Sequence, residues 1–197
     1  MRLASLLVVL VVSCLAMPAA QAEIQPNNPF PRVRMVTSMG DIVVELNRIK
    51  APLTVANFLQ YVEIGSYDNT VFHRIIPEFV VQGGGFDKDF NLKPERPPVV
   101  NESGNGLANV RGTIAMARSS DPHSATRQFY FNVADNASLD PSSRRWGYAV
   151  FGWVVEGDEV LQNMAALATT PYHDITGYPD VPIEPPVLIR IDVLPPQ

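Results

Sequence analysis

The sequence predicts a mainly β fold, an antiparallel barrel or sandwich with two helices, and three observations support this prediction. Eight short segments are rich in β-branched and aromatic residues, as strands are. Only two segments show the periodicity of amphipathic helices, and they lie far apart in the chain. Strands and helices therefore do not alternate as they would in a parallel βαβ sheet. The pattern alone leaves the choice between barrel and sandwich open.

The first predicted elements of the domain are a β-hairpin and a helix. Residues 33–37 and 42–46 alternate like strands, and residues 38–41 (S-M-G-D) are typical of the turn between them. The helix begins at Pro52, because proline suits the first helical position, and it ends at Gly65. Its apolar positions follow the helical period: Val55, Phe58, Leu59 and Val62.

Six further strands and one further helix complete the prediction. The helix runs from Asp158 to about Ala168, because its apolar residues again recur at helical spacing. The strand segments are residues 70–76, 79–82, 112–116, 128–133, 148–153 and 187–194. Long stretches rich in glycine, proline and serine, residues 86–109 and 118–127, are the loops expected to frame a functional site.

The N-terminal residues have the pattern of an export signal. A basic residue and an apolar run precede Ala20-Gln21-Ala22, which fits a signal peptide of residues 1–22. The run is too short to favour a membrane span. We expect residues 23–31 to form an extended leader and residues 32–197 to form the domain. The minority alternative is a lipoprotein whose N-terminus, after processing, is a lipid-anchored Cys14.

Charge and cysteine content exclude several classes of function. Removing residues 1–22 leaves 14 basic against 20 acidic residues, a net charge of −6, which argues against nucleic acid or anionic membranes as partners. Cys14 is the only cysteine, so the processed chain has neither a disulfide nor a cysteine nucleophile. The three histidines are each 50 residues apart, and this spacing argues against a metal site.

The densest chemical information lies in residues 67–86, which read Y-D-N-T-V-F-H-R-I-I-P-E-F-V-V-Q-G-G-G-F. A hairpin turning at Pro77 and Glu78 would bring Arg74, Phe79 and Gln82 to one face. A permanent cation, an aromatic ring and a neutral amide form a hydrogen-bonding wall beside an apolar pocket, and they make a poor acid–base set. The plain alternative is an ordinary barrel surface.

This segment resembles the signature of the cyclophilins, a family of peptidyl-prolyl cis/trans isomerases. The similar positions are Tyr67, Phe72-His73-Arg74, Phe79, Val80, Gln82 and Gly83-Gly84, and the resemblance continues through residues 112–118, 124–133 and 148–152. It covers roughly residues 33–194. The resemblance implies a closed eight-stranded antiparallel β-barrel capped by two helices, with its active groove on the outer surface. It implies an enzyme without cofactor or metal that acts on proline-containing segments.

The resemblance also implies roles for individual residues. Arg74, Phe79 and Gln82 are the expected catalytic residues, with Phe79 and Met116 forming the proline pocket. The expected substrate-binding residues are Met116, Ala117, Gln128, Tyr130, Leu139 and Tyr148.

Three positions bear on the subgroup and on its ligands. Tyr130 stands where the family usually has phenylalanine, so it adds a hydroxyl to an apolar pocket. Ser138 replaces the tryptophan of drug-sensitive members, so we expect weak cyclosporin binding. Tyr148 resembles the tyrosine of bacterial exported members, which favours a periplasmic location.

We expect a monomer that isomerises X-Pro bonds in exported proteins; the alternative is a proline-peptide-binding module or holdase chaperone with little turnover.

Overall fold

The computed structural model describes residues 24–171 and 179–196. The predicted hairpin is present, with β1 (Arg32–Thr37) and β2 (Gly40–Leu46) paired in antiparallel register. Helix α1 (Pro52–Glu63) follows, as predicted. Its N-cap residue, Ala51, provides no side-chain cap. Instead, the Glu102 carboxylate accepts hydrogen bonds from the free backbone N–H groups of Leu53 and Thr54, at 3.1 and 2.8 Å.

The other predicted strands are also present, and most are shorter than predicted. The second helix, α2, is Asp158–Ala165, and it ends three residues before the predicted Ala168. Two short strands that the sequence did not predict, β9 and β10, pair in a separate ribbon. The strands after α1 are β3 (Thr70–Val71), β4 (Arg74–Ile76), β5 (Val80–Gly83), β6 (Thr113–Met116), β7 (Phe129–Asn132), β8 (Val150–Glu156), β9 (Thr169–Thr170), β10 (Val181–Pro182) and β11 (Val187–Val193).

Within the described residues, nine strands form one curled antiparallel sheet with the order β3-β11-β1-β2-β8-β6-β7-β5-β4. The mainly β, two-helix prediction is confirmed, but the sheet has nine strands where eight were expected. Its two edge strands, β3 and β4, come from one predicted segment and are separated only by residues 72–73. The backbone itself therefore joins the two edges, and no hydrogen-bonded ladder pairs β3 with β4.

The core lies inside the curled sheet and under the helices. Alternate residues of each strand point inward, such as Ile75, Val81, Ile114 and Phe131, all fully buried. α1 packs Phe58 against Phe129, with ring centroids 5.9 Å apart at 82°. The outward-facing residues of the same strands are therefore free to build a site on the surface.

Residues 24–31 form turns that are hydrogen-bonded to the domain. The Arg48 side chain donates to the carbonyl oxygens of Ile24 and Asn28, at 2.8 and 3.2 Å. The Gln25 amide donates to the carbonyl oxygen of Leu194 at 2.8 Å. The signal peptide predicted for residues 1–22 and His173 lie outside the described residues. No helix among the described residues has the length and apolar character needed to cross a membrane.

Candidate active site

The candidate site is built on the outer face of adjacent strands. The pairing register places Arg74 of β4 opposite Gln82 of β5, Gln82 opposite Tyr130 of β7, and Tyr130 opposite Ala115 of β6. These residues therefore form one row across the sheet. Their chain neighbours Ile75 and Val81 and the flanking phenylalanines of β7 are buried in the core, so the row faces outward.

A pocket of about 260 Å³ opens beside this row. Its apolar lining comes from Phe79, Val80, Ala117, Leu139 and the ring of Tyr130. Phe79 follows a tight turn in which Glu78 takes a left-handed backbone conformation (φ 56°). The backbone N–H of Phe79 donates to the Ile76 carbonyl oxygen at 3.1 Å and closes this turn. The polar part of the lining consists of Arg74, Gln82, Arg118 and Tyr148. We call this cavity the proline pocket, after the ring that the sequence resemblance leads us to expect in it.

A second cavity of about 470 Å³ shares Gln82, Ala117 and Arg118 with the proline pocket. Gln128 lines it, and its Oε1 accepts a hydrogen bond from Gln82 Nε2 at 3.0 Å. The Gln128 side chain lies directly over Gly85, where an added Cβ would approach Gln128 Cδ to 2.6 Å. A glycine at position 85 therefore lets Gln128 reach Gln82, and together the two cavities form a continuous groove.

Arg74 is the cation with free hydrogen-bonding capacity on the wall of the proline pocket. Its side chain is 35% exposed, and its Nε lies 4.0 Å from Asp180 Oδ2. Among the described residues, its guanidinium makes no hydrogen bond. Arg118 differs, because its guanidinium donates to three backbone carbonyl oxygens and lies 4.5 Å from the Tyr148 ring centroid. Arg74 can therefore donate to a bound peptide, while Arg118 is fixed as part of the wall.

The structure brings eight of the nine predicted site residues to this groove. Met116 is the exception, because its side chain is 1% exposed, belongs to the barrel core and does not line the proline pocket. Val80 lines the pocket instead. Strand alternation could have shown that Met116 is buried, because neighbouring residues of a strand point to opposite faces and Ala117 faces the groove. Sequence reasoning also missed Arg118, which borders both cavities.

The Tyr130 hydroxyl has a buried partner. It donates to Asn109 Oδ1 at 2.8 Å, and Asn132 Nδ2 donates to the same oxygen at 3.2 Å. Asn136 Nδ2 donates to Asn132 Oδ1 and to the Phe79 carbonyl oxygen, at 2.7 and 2.8 Å. Burial, together with Tyr148 and Asp140, raises the pKa of Tyr130, so the hydroxyl remains a donor. The pocket accommodates the extra hydroxyl because this amide network lies behind it.

We expect Tyr130→Phe to retain most isomerase activity and to lower the free energy of unfolding by about 1 kcal/mol. The ring still lines the proline pocket, and Asn109 Oδ1 keeps the hydrogen bond from Asn132. Urea denaturation measures the stability change, and NMR exchange of an Ala-Pro peptide measures the activity. A tenfold or larger loss of activity in a normally folded Tyr130→Phe variant would contradict this assignment.

His73 lies behind the site and is buried. It is 5% exposed, its ring packs edge-on against Phe86 with centroids 4.8 Å apart, and its Nδ1 has no hydrogen-bond partner in the described structure. Burial lowers the pKa of His73 from 6.5 to about 4. Arg74 adds to this shift, while the Val71 backbone and the Gln128 side chain oppose it. The folded protein therefore holds this histidine neutral.

We expect the burial of His73 to make stability depend on pH. The lowered pKa means that the unfolded chain binds this proton more tightly, so stability is complete above about pH 6.5 and falls as pH approaches about 4. The loss due to this residue approaches about 3 kcal/mol below pH 4, and about 2 kcal/mol of it is reached by pH 4.5. Urea denaturation at pH 7 and pH 4.5 measures it, with His73→Phe as the variant that lacks it. An NMR titration in which the folded protein's His73 has a pKa near 6.5 would rule out His73 as the source of this pH dependence.

The described residues contain no group of three histidine, cysteine, aspartate or glutamate side chains placed to hold a metal ion. The groove instead offers a cation, amides and an apolar pocket, which suit the binding of a peptide through its backbone and one ring.

Known proteins share this chain's sequence and fold. A family model described as cyclophilin type peptidyl-prolyl cis-trans isomerase/CLD matches residues 32–190. Peptidyl-prolyl cis-trans isomerase A of Dickeya dadantii is 51% identical over 156 residues, covering 79% of this chain and 80% of that protein. Peptidyl-prolyl cis-trans isomerase cyp18 of Streptomyces antibioticus is 48% identical over 165 residues, covering 82% and 98% respectively.

Solved structures agree with these sequence matches. A cyclophilin type peptidyl-prolyl cis-trans isomerase of Cryptosporidium parvum superposes with a TM-score of 0.67 at 25% identity, covering 84% of this chain and 98% of that chain. The same Cryptosporidium protein has also been crystallised in the presence of the dipeptide Ala-Pro. The family model, the close relatives and the shared fold together show that this chain belongs to the cyclophilin-type peptidyl-prolyl cis-trans isomerases.

Proposed function

We propose that this isomerase accelerates X-Pro rotation in unfolded or folding exported proteins, with Arg74 as the catalytic cation. The single observation that supports the assignment best is the row in which Arg74 lies opposite Gln82 at the edge of an apolar pocket. Rotation about X-Pro is slow because amide resonance must be broken, at a barrier near 20 kcal/mol. No covalent bond is cleaved, so the enzyme needs neither nucleophile nor cofactor.

Arg74 stabilises the twisted transition state. In that state the prolyl nitrogen is pyramidal and regains a lone pair, which it lacks in either planar ground state. A guanidinium donor directed at this nitrogen therefore binds the transition state more tightly than the cis or trans form. Arg74 lines the proline pocket, and its guanidinium, which makes no hydrogen bond within the described structure, can make this bond.

The remaining groove residues hold the two sides of the rotating bond. Phe79, Val80, Leu139 and the Tyr130 ring enclose the proline side chain. Gln82, held by Gln128, binds the backbone on the other side, and Ala117 leaves space for it. Because both walls are preorganised, one half of the peptide stays fixed while the other turns.

We propose that the protein acts in the periplasm as a monomer. The support for export is the sequence of residues 1–22, and the support for a monomer is that one chain supplies the whole groove. Mass spectrometry of the protein from cell fractions tests both cleavage and location. A mature N-terminus at Glu23 in the periplasmic fraction is expected, whereas a lipid on Cys14 would support the lipoprotein alternative. Sedimentation at micromolar concentration tests the monomer.

We expect cyclosporin to bind weakly, because position 138 carries an exposed serine next to Leu139, which lines the proline pocket. The resemblance places at this position the tryptophan whose indole N–H binds the drug in sensitive members. Ser138→Trp is expected to tighten binding by about tenfold, since it adds a hydrogen bond and apolar contact. Titration calorimetry measures the change, with Ser143→Trp as the control. Equal affinity of the Ser138→Trp variant and the unchanged protein would contradict this explanation.

NMR exchange of a short Ala-Pro-Phe peptide tests the proposed function directly. Catalytic amounts of residues 23–197 are expected to accelerate cis/trans exchange without added metal or cofactor. The alternative function, a binding module or holdase, predicts peptide binding without acceleration. Binding shifts together with unchanged exchange would therefore favour the alternative and contradict the isomerase mechanism assigned to Arg74.

A further inference from the structure

Residues 141–146 form a short basic hairpin beside the proline pocket. The backbone N–H groups of Ser142 and Arg145 each donate to the other's carbonyl oxygen, at 3.0 and 3.4 Å. Trp146 is 46% exposed, and its ring packs edge-on against His123 with centroids 5.0 Å apart. The basic hairpin therefore presents a large aromatic surface to solvent from a closed turn.

A cavity of about 380 Å³ lies between the basic hairpin and the 3₁₀ turn Ser103–Asn105. Among residues 24–171 and 179–196, two guanidinium groups and three serine hydroxyls line it, and no carboxylate does. The chain as a whole has a net charge of −5, so a cavity whose charged lining, within the described structure, consists of two arginines differs from the rest of the molecule. We call it the basic cavity.

The two arginines of the hairpin have different partners. Arg145 donates to the backbone carbonyl oxygens of Ser138 and Asp140, so it supports the hairpin. The Arg144 guanidinium makes no hydrogen bond or ion pair with any of residues 24–171 or 179–196. It is therefore free to bind a ligand, and a guanidinium fork matches a carboxylate in shape and charge.

The basic cavity adjoins the proline pocket. Leu139 lines the proline pocket, and Pro141, two positions later, lines the basic cavity. Likewise, Trp146 lines the basic cavity, and Tyr148, two positions later, lines the proline pocket. Two residues of extended chain span about 7 Å. Arg118 lines the proline pocket and donates to the Trp146 carbonyl oxygen at 3.0 Å, which holds the hairpin against the pocket wall. A peptide whose proline is bound can therefore reach the basic cavity within a few residues.

We propose that the basic cavity binds an acidic side chain of the same polypeptide whose proline occupies the proline pocket. Substrates with aspartate or glutamate two or three residues from the proline are then preferred. This inference rests on the proposed function, because it assigns the substrate class of the same groove. Arg144 binds the carboxylate, the serine hydroxyls donate to its other lone pairs, and Trp146 covers the adjoining chain.

Peptides that differ only in flanking charge test this inference. Each contains Ala-Pro-Phe and carries two Glu, two Gln or two Lys residues at the second and third positions from the proline, on either flank in turn. NMR exchange at low salt gives kcat/KM. On one flank, kcat/KM for the Glu peptide is expected to exceed kcat/KM for the Gln peptide by about fivefold. On the same flank, kcat/KM for the Lys peptide is expected to be lower than for the Gln peptide. The preference is expected to shrink in 0.5 M salt, because exposed charges are screened.

Variants of Arg144 identify the residue responsible. Arg144→Gln is expected to bring the Glu-to-Gln ratio to about 1, and Arg144→Glu is expected to favour the Lys peptide. Lys50→Gln removes an exposed charge beside α1 and serves as the control, in which the preference persists. Equal kcat/KM for all peptides, or a Glu preference that survives Arg144→Glu, would overturn the inference.

Failure of the proposed function has a different outcome. In that case the cis/trans exchange of none of the peptides is accelerated, and the Trp146 indole NMR signal still reports whether they bind. Tighter binding of the Glu than of the Gln peptide, abolished by Arg144→Glu, then supports the basic cavity, and equal binding overturns it.

Discussion

Replacement of Arg74 by alanine is expected to lower kcat/KM for X-Pro isomerisation by about 10²- to 10³-fold, the loss typical when one preorganised donor to a transition state is removed. The structure gives the physical reason. Arg74 lies opposite Gln82, borders the proline pocket and keeps its guanidinium N–H groups free of hydrogen bonds within the described structure. Its contact with Asp180, at 4.0 Å with both side chains about one third exposed, is weak.

NMR exchange with Arg74→Ala and Arg74→Lys measures this effect. Lysine keeps a charge but loses the planar fork, so we expect an intermediate rate. Peptide affinity should change only a few-fold, because the pocket wall remains. Arg34→Ala is the matched control, since Arg34 is also a partly exposed strand arginine with one loose ion pair, 3.8 Å from Asp41. Full activity of Arg74→Ala would remove Arg74 from the mechanism.

Replacement of Arg127 by methionine is expected to lower the free energy of unfolding by about 4 kcal/mol. Arg127 is fully buried, and its guanidinium donates to the carbonyl oxygens of Ser66, Gly84 and Pro94, at 2.5, 2.7 and 2.8 Å. Methionine fills the space but removes the donor from three carbonyl oxygens, of which that of Gly84 accepts a fully buried hydrogen bond. Arg127 also lies near the rings of Tyr61 and Tyr67, so cation–π contact is lost as well.

Urea denaturation measures this change. Arg127→Lys is expected to recover part of the stability, because an ammonium group reaches some of the three carbonyl oxygens. Arg34→Met, on the surface of β1, is the control and should change stability by less than about 0.5 kcal/mol. A loss below about 1 kcal/mol for Arg127→Met would show that water or a shifted loop satisfies these carbonyl oxygens.

Local patterns in the sequence were enough to predict most elements. The first hairpin and α1 follow from alternation, from the S-M-G-D turn and from Pro52, all of which act over a few residues. The segment predicted as one strand over residues 70–76 is two strands, β3 and β4, which lie at opposite edges of the sheet. The break arises because the sheet curls until the two edges meet at residues 72–73, and curvature depends on the whole sheet rather than on local propensity.

The structure brings eight of the nine predicted site residues to one groove and places the ninth, Met116, in the core. The expectations for Arg74, Phe79 and Gln82 came from a continuous motif, and the structure places all three on the proline pocket. Met116 came from the resemblance without regard to strand alternation, and it points into the core while Val80 lines the pocket. The second groove cation, Arg118, lies outside that motif, and its position depends on carbonyl groups from a distant loop.

Short-range periodicity and the continuous motif of residues 67–86 were enough to predict most elements and to recognise the family, because both depend on residues close together in the chain. Which polar groups find partners depends instead on long-range packing. Glu102 caps α1 from about 50 positions away, Asn109 receives the Tyr130 hydroxyl, and Arg127 joins three loops. Such partners meet only when the sheet curls, and a buried polar group is stable only where its partner lies within hydrogen-bonding distance.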